Sequence, residues 1–166
     1  MNDFSSKCAN INLVITDVDG VLTDGTIYFS KEGEALKKFS VRDGMGVELL
    51  HEKKIKVILL TRENSEIVKK RGEKIKADKT ILNIQNKKDE LEKIQSEFNV
   101  ERENIAYIGD DLNDLEIMLS VGFSATPADG HSKIKQIADF ICNCNGGNGA
   151  FREFCEVILD NRGASD

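Results

Sequence analysis

Ile11-Asn12-Leu13-Val14-Ile15-Thr16 runs directly into Asp17-Val18-Asp19-Gly20, and this stretch sets the reading of the whole chain. The first part is a short apolar, β-branched run, which is how a strand buried on both faces reads. It ends abruptly in two acids and a glycine. Similar runs recur downstream. Lys56 to Leu60 reads as a second buried strand, Lys79 to Leu82 as a short one, Asn104 to Ile108 as another, Gly122 to Ala125 as another, and Phe140 to Cys142 closes the set. Between them lie helical stretches at Gly44 to Lys54, Ser65 to Ile75, Lys88 to Phe98, Leu112 to Leu119 and Lys133 to Ala138, with Gly149 to Leu159 last. In Lys88 to Phe98 the apolar positions Leu91, Ile94 and Phe98 share one side. Thr26 to Phe29 and Ala35 to Val41 read as a β-hairpin turning through Lys31, Glu32 and Gly33.

Strands alternating with helices predict an α/β fold, a doubly wound, Rossmann-like parallel sheet covered on both faces, with a small hairpin flap after the first strand. Ligands of such sheets bind beyond the carboxyl ends of the strands, at the switch point. The residues that follow each strand are therefore the candidates. They are Asp17 and Asp19 after the first, Thr61 after the second, Lys87 ahead of the helix that follows the third, and Asp110 and Asp111 after the fourth. A carboxylate can attack phosphorus and carry an aspartyl-phosphate. Clustered acids that must receive a phosphate call for a hard divalent cation, and magnesium takes such oxygen ligands. A hydroxyl and an ammonium can hold the remaining phosphate oxygens. One Asp after a strand is usually only a cap or turn residue. Four strand ends with complementary chemistry are not explained that way.

Composition agrees with a soluble globular protein. The 166 residues fit one domain, expected to span 1–166, with 40% hydrophobic and 31% charged residues. A net charge of -6 gives no field for nucleic acid, and no apolar run is long enough for a membrane span. Met1 to Asn10 is polar and does not read as a signal peptide. Cys8, Cys142, Cys144 and Cys155 form no zinc pattern and are expected as reduced thiols of a cytoplasmic protein. His51 and His131 are isolated and expected at the surface.

Asp17-Val18-Asp19-Gly20-Val21-Leu22-Thr23-Asp24-Gly25 resembles the first motif of the haloacid dehalogenase superfamily of phosphatases. Thr61 resembles its second motif, Lys87 its third, and Gly109-Asp110-Asp111-Leu112-Asn113-Asp114 its fourth. The resemblance implies that Asp17 is the nucleophile and Asp19 the general acid and base. It implies magnesium held by Asp17, the Asp19 carbonyl and Asp110, with Asp111 supporting that shell, and phosphate held by Thr61 and Lys87. Val41-Arg42-Asp43-Gly44 and Gly146-Gly147-Asn148-Gly149-Ala150-Phe151-Arg152-Glu153 resemble the 3-deoxy-manno-octulosonate 8-phosphate phosphatases, with relatives acting on nine-carbon 2-keto-3-deoxy sugar acid 9-phosphates. The small-molecule substrate implied is a sugar acid phosphate. Members of that family are capless homotetramers whose sites borrow walls from a neighbour, which here implies a closing tail from Gly146 onward. Spacing agrees on the cap, because 41 residues separate Asp19 from Thr61 and 25 separate Thr61 from Lys87. Arg42 resembles the eight-carbon class. Glu63, Arg71 and Lys74 resemble the nine-carbon class, although Arg71 and Lys74 read equally as a solvated helix face. Arg152 reads as part of the closing tail or as plain surface charge. Two other classes use similar residues. A phosphoacceptor receiver places its acidic pair first and its acceptor later, opposite to the order here, and an inert oligomerisation module related to sugar-acid cytidylyltransferase domains would have lost motif residues that this chain retains.

Overall fold

A computed structural model of the chain describes residues 4–162; the two ends of the expected 1–166 domain, 1–3 and 163–166, lie outside the described residues. The six apolar runs become strands β1 (Leu13–Thr16), β4 (Lys56–Leu60), β5 (Lys79–Ile81), β6 (Ile105–Ile108), β7 (Phe123–Thr126) and β8 (Phe140–Ile141). They form one sheet in the order β5-β4-β1-β6-β7-β8, with every pairing parallel. From β1 the chain winds one way through β4 to β5, then crosses back to β6. The switch point therefore lies at β1 and β6, where Asp17 N donates to Ile108 O at 3.0 Å.

Period-two alternation divides the strand side chains between two cores. Val14, Val57, Leu59, Ala106 and Ile108 face a cluster completed by α1 (Ser5–Cys8), α2 (Val41–Glu52), α3 (Glu66–Lys74) and α7 (Ala150–Asn161) through Cys8, Val47, Leu50, Val68, Phe151, Phe154 and Ile158. Leu13, Ile15, Ile58, Leu60, Ile105 and Tyr107 face the other cluster, built with α4 (Glu90–Phe98), α5 (Leu115–Met118) and α6 (Ser132–Ile137) through Leu91, Ile94, Ile117, Met118 and Ile134. Both faces are covered, so the strands carry apolar residues without interruption. Among the described residues no further domain is inserted, and no helix is long and apolar enough to cross a membrane.

The hairpin is longer than expected on its first arm and ends earlier on its second: β2 is Thr23–Ser30 and β3 is Gly33–Phe39. Val41 belongs to a helix instead. Ser40 is extended, and its side chain accepts from Arg42 N at 3.2 Å, so it caps α2 three residues before the expected start at Gly44. The four cysteines are free, three of them buried.

The histidine expectation needs correction for His51, which is half-buried and lies 2.8 Å from Asp78. His131 is exposed, and it caps α6 by accepting from Lys133 N at 3.2 Å.

The Gly146–Glu153 segment, the expected closing tail, has defined contacts within the subunit. It packs on its own chain. Gly147 N donates to Val21 O at 2.9 Å, and a Cβ on Gly146 would fall 2.0 Å from Gly20 O. α7 then buries Phe151, Phe154, Cys155 and Ile158 in the core, and Asp43 on α2 accepts from Arg152 N at 3.0 Å. These residues are fixed parts of the subunit's own fold, and 163–166 lie outside the described residues.

Candidate active site

The strand ends converge on a cavity of 480 Å³ lined by Asp17, Asp19, Thr61, Arg62, Glu63, Gln85, Asp110, Asp111 and Asn113. Asp17 is buried at the end of β1. Its Oδ1 accepts from Val18 N at 2.7 Å and pairs with Lys87 Nζ at 2.7 Å. Lys87, 1% exposed, reaches from the loop before α4 and donates equally closely to Asp114 Oδ1, at 2.6 Å. Thr61 is buried at the end of β4. Its hydroxyl accepts from Glu63 N at 3.1 Å, which leaves its own proton to donate into the cavity.

Asp114 is the residue that the sequence quoted but gave no role. It is fully buried on a 3-10 turn, Leu112–Asp114, that precedes α5. Oδ1 accepts from Lys87 and from Tyr107 Oη at 2.7 Å, and Oδ2 from Asp110 N at 2.9 Å and Asp111 N at 3.3 Å. It therefore holds the buried Lys87 and the backbone of the two acids together. Asp111, expected to support the metal shell, lines the cavity with its side chain accepting from Leu112 N at 2.7 Å. The turn's spacing could have exposed Asp114: a third acid three residues after Asp111 is the reciprocal partner of a capping box.

Asp17, Asp110 and Asp114 offer carboxylate oxygens within 4.8 Å of one another. Lys87 supplies one positive charge against three negative ones. Burial and this crowding push Asp17 well above the carboxylate range and raise Asp110 to about 7. Burial opposes the charge on Lys87, but its two carboxylate partners prevail and raise it. Such a site is deficient in cation, and its all-oxygen donors suit a hard divalent ion. Both oxygens of Asp114 are already committed to four donors, so Asp17 and Asp110 are the better ligands. The backbone leaves Asp110 its place: Gly20 has φ +88, and a Cβ there would lie 1.9 Å from Asp110 Oδ2.

Asp19 lines the same cavity and is held by the hairpin, a contact the sequence did not anticipate. Lys37 Nζ lies 2.6 Å and 2.7 Å from its two carboxylate oxygens. The alternation of β3 was the available signal, since Leu36 and Lys38 point outward and Lys37 inward.

Of the substrate candidates, only Glu63 lines this cavity. Arg42 and Arg152 line a separate one of 450 Å³ with Cys144, Asn148, Gly149, Glu153 and Glu156. Arg152 pairs there with Glu156 at 2.7 Å. Arg71 is half-buried, donates to Ser40 O at 2.7 Å and lies over the Phe39 ring, so it supports the junction of β3 and α2. Lys74 is exposed at the end of α3.

The profile of the haloacid dehalogenase-like hydrolases matches residues 50–154. The chain is 37% identical over 164 residues to the 3-deoxy-D-manno-octulosonate 8-phosphate phosphatase of Escherichia coli K12, covering 99% of this chain and 87% of that protein. The chain belongs to this phosphatase family of haloacid dehalogenase-like hydrolases. The family's fold is matched as well. The crystal structure of the Yersinia pestis phosphatase superposes with a TM-score of 0.93 at 35% identity, covering 97% of this chain and 87% of that one. The Moraxella catarrhalis phosphatase, solved with magnesium, phosphate and KDO, gives 0.93 at 34% identity, covering 98% and 93%.

Proposed function

We propose that this chain is a phosphatase domain that hydrolyses 3-deoxy-D-manno-octulosonate 8-phosphate through an aspartyl-phosphate on Asp17. The observation that carries the reading is the buried Asp17 carboxylate, fixed on one oxygen by Val18 N and Lys87 and lying among acids that one lysine cannot neutralise. Asp17 Oδ2 attacks phosphorus, and the bond to the sugar oxygen breaks as Asp19 gives that oxygen its proton. Asp19, now a carboxylate, takes a proton from water. The resulting hydroxide attacks the same phosphorus, releasing phosphate and restoring Asp17. Thr61 and Lys87 hold the non-bridging oxygens through both halves. Asp17, Asp110 and the Asp19 carbonyl would hold magnesium, which supplies positive charge against the phosphate. Asp19 is also what separates this site from a phosphoacceptor receiver, which has no acid for the leaving group. The retained motif residues argue against an inert module.

Glu63 on the cavity wall favours one competing substrate, a nine-carbon sugar acid 9-phosphate. Phosphate release from the eight- and nine-carbon substrates, with and without magnesium, tests both. A higher kcat/KM on the eight-carbon ester and silence after chelation are expected. Absence of release from either would remove the reading. The hairpin leaves Tyr28, Phe29 and Leu36 exposed, Phe29 by 73%, which suits burial in a homotetramer. Light scattering on Phe29→Glu should then give a smaller mass than wild type. Free cysteines, three of them buried, suit the cytoplasm.

A further inference from the structure

We propose that Lys37 is a positioning residue for the reaction, a hairpin ammonium that sets where the Asp19 carboxylate stands. The proposal rests on the phosphatase reading above. Three observations support it. The Lys37 side chain is wholly covered, and both oxygens of Asp19 lie at hydrogen-bond distance from Nζ, 2.6 Å and 2.7 Å. One ammonium that meets both oxygens points the carboxylate toward the hairpin and holds it in place. The only other contact near Asp19 is a long one from Thr23 Oγ1 at 3.5 Å, so Lys37 dominates its orientation among the described residues. Third, the lysine is itself anchored. Glu34, three residues earlier on the same strand, lies 3.0 Å from Nζ and also accepts from Ser65 Oγ, the residue that caps α3. The flap is thereby tied to the rim that carries Thr61.

The chemistry gives this arrangement a use. Asp19 must face the leaving oxygen in the first half of the reaction and an attacking water in the second, and misplacement by about 1 Å can cost on the order of 10²-fold. When Asp19 carries the proton, Glu34 remains as partner for the buried ammonium, so the lysine is never left without a counter-charge. A solvated surface lysine would show none of these features.

A residue that acts through another gives non-additive losses. The test is a cycle of wild type, Lys37→Met, Asp19→Ala and the double variant. Each is assayed with magnesium for phosphate release from 3-deoxy-D-manno-octulosonate 8-phosphate, with thermal unfolding alongside. Lys37→Met should lose about 10²-fold in kcat with little change in KM, and the double variant should match Asp19→Ala within about two-fold. Lys37→Arg should recover part of the rate. Should Lys37→Met not fold, Lys37→Gln takes its place in the cycle. An active wild type in which the two losses multiply, or in which Lys37→Met is unimpaired, overturns the role of Lys37 alone. A wild type that releases no phosphate removes the phosphatase reading and this role with it.

Discussion

Replacing Asp114 by Asn probes the centre of the site without changing its shape. The carboxylate accepts four hydrogen bonds, two on each oxygen. An amide has one accepting end. If its oxygen stays with the backbone N–H groups of Asp110 and Asp111, its NH₂ faces the Lys87 ammonium, now 2.6 Å from Oδ1. If it turns, both backbone donors are left against an NH₂. Removing one partner of a buried pair costs about 3–5 kcal/mol. The lower end applies without metal, because Lys87 retains Asp17 at 2.7 Å and the loss of one negative charge relieves Asp17 and Asp110. For a chain of this size, about 3 kcal/mol lowers Tm by roughly 6–12 °C. With magnesium bound that relief has already been supplied, so the cost moves toward about 5 kcal/mol and roughly 10–20 °C. Differential scanning calorimetry at pH 8, where Asp110 is mostly ionised given its value of about 7, reads both figures. A drop below about 2 °C in both conditions would refute the argument that Asp114 holds Lys87 and the Asp110 backbone together.

Asp17→Asn should abolish phosphate release while keeping a wild-type far-ultraviolet spectrum, since an amide does not attack phosphorus; turnover by the folded variant would end the covalent mechanism. Gly20→Ala would force a Cβ to within 1.9 Å of Asp110 Oδ2 at a φ of +88. It should weaken magnesium binding by calorimetric titration and cost roughly 1–3 kcal/mol of stability, and unchanged magnesium affinity would contradict the ligand assignment. Asp78 gives a pH prediction. Burial would raise its pKa, but Lys56, Val57 N–H and His51 together hold it below the usual carboxylate value. Its contribution is therefore complete above the unfolded value of about 3.9 and is lost as pH falls through the lower folded value. The stability gap between wild type and Asp78→Asn should narrow below about pH 4, and a gap that widened there would reverse the sign.

The parts of the fold legible in the sequence were those written in one local signal. Apolar runs of three to six residues marked the parallel strands, and the residues after them marked Asp17, Asp19, Thr61 and Asp110, which line one cavity. What escaped was set by partners distant in the chain. Lys37 reads as an ordinary strand charge until the hairpin folds over Asp19, 18 residues back. Asp114 reads as a helix-surface acid until Lys87 arrives, 27 residues away in sequence. Val41 reads as the end of the second hairpin strand, yet the cap at Ser40 makes it the first residue of α2. Gly146 and Gly147 signal a turn in isolation, and only the backbone of Gly20, Thr23 and Asp24 explains why no side chain fits there.

The central position of β1 bears on how the chain is made. Leu13 pairs with Lys56 on one side and with Ile105 on the other. As the chain leaves the ribosome, the first strand has neither neighbour. One flank is filled after β4 appears, but the other stays open until Ile105–Ile108 is synthesised, about five to twenty seconds after β1 itself at about 5–20 residues per second. Until then Asp17 sits on a bare strand edge, exposed to pairing with any other unfinished chain. Pairings so distant in sequence also close slowly. A nascent chain halted before β6 should therefore be prone to aggregation and inactive, although it already carries Asp17, Asp19, Thr61 and Lys87.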